Sequence, residues 1–588
     1  MEGTKHTCKS TNAVSKIGLI TIFCFITISA TAQNKQPSSI QETLKPTVET
    51  TVKKDRTTTQ LRNIPESGRT GQDTIEEAQP VRLVRPYIPN RPQTESTQPI
   101  TNILFQNSPG LPTTVEFREF SGIGMGMKNA NSDIPDFKPR SAPPDTNGAA
   151  GGPIYSDLEK RNKVSDGHYV QWINSSFAVF EKSTGRVLYG PSDGKSLWRG
   201  FGGKCETNND GDPLVHYDKL TNRWILSQFA VKGAGNGEPF YQCLAVSDTS
   251  DALGRYTRYS FKYTDMNDYP KMGVWPDGYY MTYNMFNDNG FVGAKVCAFD
   301  RQALLGLVTR DVKQICFQLQ PKYGSFLPSD LDGTSLPAEG SPNYLLALDT
   351  DSVSLWKFKV DWQKWEDSQL SGPQYIKLGN FDIDCLGRGC VPQRGTRQRL
   401  DTLADRLMYR LAYRRFKDYE SLTFNHTVSS GDNVTAIRWY ELRNPNSSPA
   451  IFQGATFAPD SNHRWMGSIA MDRLGNIGLA YSVSGTELFP SIRFAGREFN
   501  DPKGKLQAEV KIYDGTGAQR CILSDGTCVC KNPDGTCQTL SRWGDYSSLN
   551  LDPDDCTMWY TTQYIAADGA YNWNTRIAAI RFKSCTIK

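Results

Sequence analysis

Apolar and polar residues alternate in short bursts along most of this chain, and the bursts come in pairs. Leu549 and Leu551 alternate with polar neighbours, the period of a strand with one buried face. The Asp552-Pro553-Asp554-Asp555 that follows is turn chemistry, and 558–564 is a second stretch rich in aromatic and β-branched residues. The same hairpin grammar recurs upstream with little identity. Gly211-Asp212-Pro213-Leu214 leads to Arg223-Trp224-Ile225-Leu226, Asp268-Tyr269-Pro270-Lys271 to Tyr279-Tyr280-Met281, and Arg464-Trp465-Met466-Gly467 to Ile477-Gly478-Leu479.

A hairpin unit returning at this spacing predicts an all-β fold, a seven-bladed β-propeller. The units span 143–200, 205–262, 265–320, 340–385, 400–448, 460–515 and 540–585. The fourth is the weakest, and merging it with a neighbour leaves six blades. The alternating stretch 115–120 is expected to pair with 576–582 and close the ring, so that no edge strand is left bare.

Composition changes the picture at the N-terminus. Lys5, Lys9 and Lys16 precede a 14-residue apolar run from Ile17 to Ala30, and Ala30-Thr31-Ala32 has the small-x-small form of a cleavage site. Residues 1–32 read as a signal peptide, which places the mature chain outside the membrane with no transmembrane helix. Residues 33–114 hold ten Pro and no Trp or Cys, which reads as a disordered Pro/Thr/Gln-rich stalk ahead of a propeller at 115–588. All 12 Trp lie from Trp172 onward.

Twelve cysteines remain after cleavage, an even number suited to an oxidising compartment. Cys297 with Cys316, Cys385 with Cys390, Cys556 with Cys585 and Cys205 with Cys243 are the short-range candidates. The segment 521–537 carries two copies of Asp-Gly-Thr-Cys and reads as a disulfide-tied excursion, with zinc as the alternative. Lys+Arg 66 against Asp+Glu 62 is nearly balanced, a formal net charge of +4, and argues against nucleic-acid binding driven by net charge. A monomer is expected.

Ligands of propellers gather where the innermost strands begin. That places Asp145, Asp212, Asp268, Asp405, Arg406, Arg464, Trp465, Arg542, Trp543, Asp545 and Tyr546 around one funnel. Each such Asp could equally cap its own turn. Asp212, Asp268 and Asp545 are the candidate catalytic carboxylates. Arg406, Arg464 and Arg542 with Tyr269 or Tyr546 are the residue types of a sialidase-like site, although no S-x-D-x-G-x-x-W box is present. Asn208, Asp210 and Asp212 have the oxygen density of a calcium loop, without the Glu of an EF-hand; calcium is the one cofactor suggested. No G-x-S-x-G, H-E-x-x-H or P-loop occurs.

Pro144-Asp145-Thr146-Asn147-Gly148, Asn209-Asp210-Gly211-Asp212-Pro213 and Arg542-Trp543-Gly544-Asp545-Tyr546-Ser547 resemble motifs of a family of exported, propeller-like, mostly bacterial proteins. The resemblance covers about 140–588 and implies fold and export, with no activity to carry over. The leading expectation is an extracellular binding or adhesion module for a glycan or protein. A secreted glycoside hydrolase is the alternative, and a structural surface protein the third.

Overall fold

The computed structural model describes residues 44–66 and 103–586, apart from 132, 140–141, 157–161, 236, 384, 386–388, 432–433, 532–534 and 538. The expected signal peptide and most of the expected stalk lie outside the described residues. Strand makes up 50% of the structure and helix 4%, so the fold is all-β.

The hairpins predicted from alternation form. Ser548–Leu551 pairs with Met558–Ile565 in the register Leu549↔Tyr560 and Leu551↔Met558. Asp552 and Asp554 close the turn: Asp554 N donates to Asp552 Oδ1 at 3.0 Å, and Thr557 N to Asp554 Oδ1 at 2.7 Å. Alternation predicts one exposed face, yet every residue of Met558–Ile565 is buried. The reason is that sheets stack on both faces. The core between the second and third sheets, for example, joins Leu214, Ile225 and Phe261 to Met272, Met281 and Phe299.

Seven antiparallel runs follow one another along the chain. The first has Asn147–Ala150 innermost, then His168–Ile173, Ser176–Glu181 and Val187–Asp193. The second to sixth begin on Gly211–Asp218, Met266–Val274, Leu327–Leu331, Met408–Arg415 and His463–Met471. The seventh contains Ser548–Leu551, Met558–Ile565, Trp573–Phe582 and, outermost, Val115–Ser121. Each first strand touches the first strand of the next run, and Ser548–Leu551 touches Asn147–Ala150, so the first strands make a closed ring. Leu327–Leu331 also pairs in parallel with Met408–Arg415, fusing the fourth and fifth runs into one nine-stranded sheet. The fourth run begins upstream of the 340 boundary read from sequence, because this five-residue strand is too short to show a period.

One expectation is corrected: the stretch before residue 115 is not wholly a disordered stalk. Thr47–Thr50 adds an outer strand to the third run, Lys53–Arg56 to the second, and Leu104–Gln106 to the fifth. Leu61 and Ile64 are buried, and Glu66 accepts a hydrogen bond from Gly190 N of the first run at 3.0 Å. Gln106 Nε2 reaches Leu506 O at 2.9 Å. An outer strand needs only one half-buried face, so the polar composition of this belt does not prevent pairing. The four cysteines at 521–537 pair as the expected disulfide-tied excursion, Cys521–Cys530 and Cys528–Cys537, which leaves no thiolate for the zinc alternative. The other four disulfides are Cys205–Cys243, Cys297–Cys316, Cys385–Cys390 and Cys556–Cys585. Among the described residues no helix is long and apolar enough to cross a membrane.

Candidate functional site

The first strands share a backbone device. A residue with positive φ stands at or just before them in six runs: Asp145 (47°), Asp212 (45°), Tyr269 (54°), Ser325 (53°), Met466 (53°) and Gly544 (54°). Asp tolerates this region; for Tyr and Met it is strained, and such strain persists only where the surroundings enforce it. The pairing register slips beside three of these residues: between Gly211 and Leu214, between Asp268 and Lys271, and between Trp465 and Ser468. Such a bulge re-aims the side chains at the strand end.

Backbone amides of neighbouring runs then fix the carboxylates. Tyr269 N donates to Asp212 Oδ2 at 3.1 Å, and Asp545 N donates to Asp145 Oδ1 at 2.8 Å. Tyr269, Tyr409 and Tyr546 pack together. Lys271 is fully buried, its Nζ 3.4 Å from the Tyr269 ring centre and 3.9 Å from that of Tyr546. Arg406 is clamped by Asp405 at 2.8 and 3.0 Å and lies 4.8 Å from the Tyr269 ring centre. Arg542 is ion-paired to Asp545, and its Nε and one terminal nitrogen are buried without an acceptor.

Asp212, Asp268, Arg542 and Asp545 are half-buried, while Asp145, Lys271, Arg406, Tyr546 and the side chain of Asp405 are buried beneath them. Asp145, Asp212 and Asp268 crowd one another here, removed from solvent by burial. Burial, then the neighbouring Asp212, holds the Asp145 carboxyl well above its usual range. Burial also raises Asp212, against the pull of Lys271, the Tyr269 amide and Arg542. Burial and Asp212 push Asp268 up to about 7. Burial pushes the Lys271 ammonium down to about 7, although Asp212 and Asp145 favour its charge. The site therefore holds a carboxylic acid and an amine that both titrate near neutrality.

A raised carboxyl has a stability consequence. Asp268 binds its proton more tightly folded than unfolded, so its contribution is fully present below about pH 4 and is lost as pH rises toward about 7. Asp268→Asn is expected to remove the part of the stability decline between these pH values that Asp268 causes. Urea unfolding of both proteins across this window checks it; parallel curves would show that Asp268 titrates normally.

The structure thus brings together Asp145, Asp212, Asp268, Asp405, Arg406, Arg542, Asp545 and Tyr546. It does not bring in three others. Arg464 is spent on Glu509 (2.8 Å, twice), Asp460 (2.9 Å) and the Asn462 carbonyl (2.7 Å) within the sixth run. Trp465 and Trp543 offer no stacking face: both are buried, their ring centres 5.7 Å apart, in a core with Leu400, Leu403 and Leu540. The calcium loop fails as well. Asp210 Oδ2 accepts from Val231 N (2.6 Å), Lys232 N (2.8 Å) and Asn208 Nδ2 (3.0 Å), which leaves that oxygen to N–H donors, and Asp212 turns to Tyr269. No three acidic, His or Cys side chains are grouped to hold a metal among the described residues.

Lys271 and Tyr409 escaped the sequence reading. The signal for Lys271 was there: a lone lysine in the otherwise uncharged run Tyr269-Pro270-Lys271-Met272-Gly273-Val274-Trp275.

No family model matches the chain, and no curated protein matches it. Solved structures do align. An endo-arabinase from Bacteroides thetaiotaomicron aligns at 16% identity over 50% of this chain and 95% of that one, with a TM-score of 0.25. An α-L-arabinofuranosidase of Fusarium graminearum aligns at 10% over 80% and 99%, with 0.30. An exo-β-1,3-galactanase from Phanerochaete chrysosporium aligns at 11% over 62% and 99%, with 0.25. Alignments this loose assign no activity here.

Proposed function

We propose that the protein is an exported seven-bladed propeller whose ring mouth binds a glycan. The closed order of the seven first strands supports the architecture, and six disulfides suit an oxidising compartment outside the cell. The observation that carries the function is the half-buried convergence of Asp212, Asp268, Asp545 and Arg542, contributed by chain segments far apart in sequence. Carboxylates and a guanidinium at a polar mouth match the hydroxyls of a sugar by charge-assisted hydrogen bonds.

One observation favours hydrolysis as the second reading. Asp268, pushed up to about 7 beside Asp212, keeps its proton to higher pH than an ordinary carboxyl, the condition of a general acid next to a second carboxylate.

A glycan array run beside a screen on chromogenic glycosides separates the two. Binding without turnover, lost in Asp212→Asn, is the expected result. Turnover that disappears in Asp268→Asn with the fold intact moves the assignment to a hydrolase. If the protein retains no glycan, or the array pattern survives both substitutions, the mouth is a structural plug of charged groups.

A further inference from the structure

Two insertions deliver the arginines of the mouth: 378–407 between the fourth and fifth runs, and 514–547 between the sixth and seventh. The first carries the hairpin Val391–Gln393 and Thr396–Leu400, tied by Cys385–Cys390. The second carries Cys521–Cys530 and Cys528–Cys537. They are stitched together. Gln393 Nε2 donates to Gln519 O at 2.9 Å, Gln519 N to Gln393 Oε1 at 2.8 Å, Cys521 N to Gln398 Oε1 at 2.6 Å, and Arg520 to Gly395 O at 3.2 Å.

A groove of about 520 Å³ lies along this seam, lined by Gly395, Thr396, Arg397, Gln398, Arg520 and Ile522. Residues 389–400 include Arg394, Arg397 and Arg399 and no acid, and all three arginines are exposed. Arg520 is 8% exposed and ion-paired to Asp568, yet its Nε is buried without an acceptor, as is Gln398 Nε2. A buried donor left unmatched is costly, and both residues that carry one line the groove. Asp525, the acid in the neighbouring turn, holds Thr527 N at 2.9 Å. Ile522 is 47% exposed and supplies an apolar wall beside these donors.

We propose that this seam is a second binding site, for a polysaccharide bearing carboxylate or sulfate groups. Arginine forks match both groups, and the exposed isoleucine suits the C–H face of a sugar ring. Nucleic acid fits less well: its affinity draws on about 6–10 phosphate contacts, more than this short row of guanidinium groups can offer.

The test uses the mature protein with three oligosaccharide probes of matched length: sulfated dextran, polygalacturonate and neutral dextran. Affinities are measured at about 0.15 M salt, where exposed charges are largely screened beyond the groove. Binding to sulfated dextran or polygalacturonate, absent with neutral dextran, is expected, and the stronger of the two identifies the acidic group. Arg397→Glu should weaken it about tenfold or more. Lys364→Glu makes the same charge change on an exposed lysine paired with Asp367, in the fourth run, and should leave it unchanged. Arg397→Gln serves if the charge reversal fails to fold. No binding to either anionic probe, equal losses in the two charge-reversal variants, or tighter binding of duplex DNA of the same length would overturn the assignment.

Discussion

Arg410→Ala is expected to destabilise the protein by about 3–5 kcal/mol, the range for removing one partner of a buried charge network. Arg410 is 1% exposed. Its Nε donates to Asp330 at 2.9 Å, and its two terminal nitrogens to Asp332 at 3.0 and 2.6 Å. Lys219 adds a 3.2 Å bond to Asp332, and Asp330 Oδ1 also accepts from Val274 N at 3.0 Å. Tyr409, beside Arg410, lies 3.3 Å from His216 Nε2. Asp330 and Asp332 thus tie the second, third and fourth runs to the guanidinium of the fifth. Without Arg410, two buried carboxylates face each other with no guanidinium bonded to either, and only Lys219 and the Val274 amide remain among these bonds.

The pH dependence gives the same network a second readout. Burial alone would raise Asp332; Arg410 and Lys219 overcome it and hold the carboxyl down to about 2. A depressed carboxyl stabilises the folded state above its unfolded value of about 4, and this contribution is lost as pH falls toward about 2. The wild-type protein should lose stability across that interval, and Arg410→Ala should lose much less, having already forfeited the contribution. Urea unfolding at several acidic pH values measures both slopes. A variant within 1 kcal/mol of wild type, or one with an unchanged acid slope, would show that the ring does not depend on this network.

Trp543→Ala is the second large effect, about 3–5 kcal/mol for emptying a fully packed indole site. Trp543 is 1% exposed and packs with Trp465, Leu403, Leu540 and the Cys521–Cys530 bridge. Its Nε1 donates to Ser482 Oγ at 3.0 Å, an acceptor that the variant leaves buried. The neighbouring Arg542 belongs to the mouth, so slackening this core should also weaken whatever the mouth binds. Trp543→Phe, which refills most of the volume, should recover much of the stability. Denaturant midpoints and near-ultraviolet circular dichroism distinguish the two variants. A Trp543→Ala protein of unchanged stability would mean that the indole core does not hold the two insertions.

Sequence and structure agree where the signal is local. The paired bursts at 211–230, 266–287 and 548–565 are hairpins because turn residues and alternation lie within a dozen positions of one another. The expected pairing of 115–120 with 576–582 is present as Val115↔Phe582 through Ser121↔Arg576, and so are the four short-range disulfides. Side-chain direction at the ring mouth was not legible. Asp268 and Trp465 both open a hairpin, but a one-residue slip in register decides whether a side chain faces the mouth or the space between sheets. Asp268 reaches the mouth, whereas Trp465 turns into the core. The belt strands were illegible for a different reason. Thr47–Thr50 and Lys53–Arg56 carry no period of their own and become strands only because an open edge is there to pair with.

The belt also sets an order of assembly. Glu116 lies 465 positions before its partner Arg581. During synthesis the chain therefore emerges edge first: the outermost strand of the last unit exists long before there is a unit for it to join. Circle and rim can be completed only after residues 573–582 have been made. A chain stopped before 573 would leave 115–121 without a mate and the ring without its last wall, so completion of this molecule is a single late event rather than a steady accretion of units.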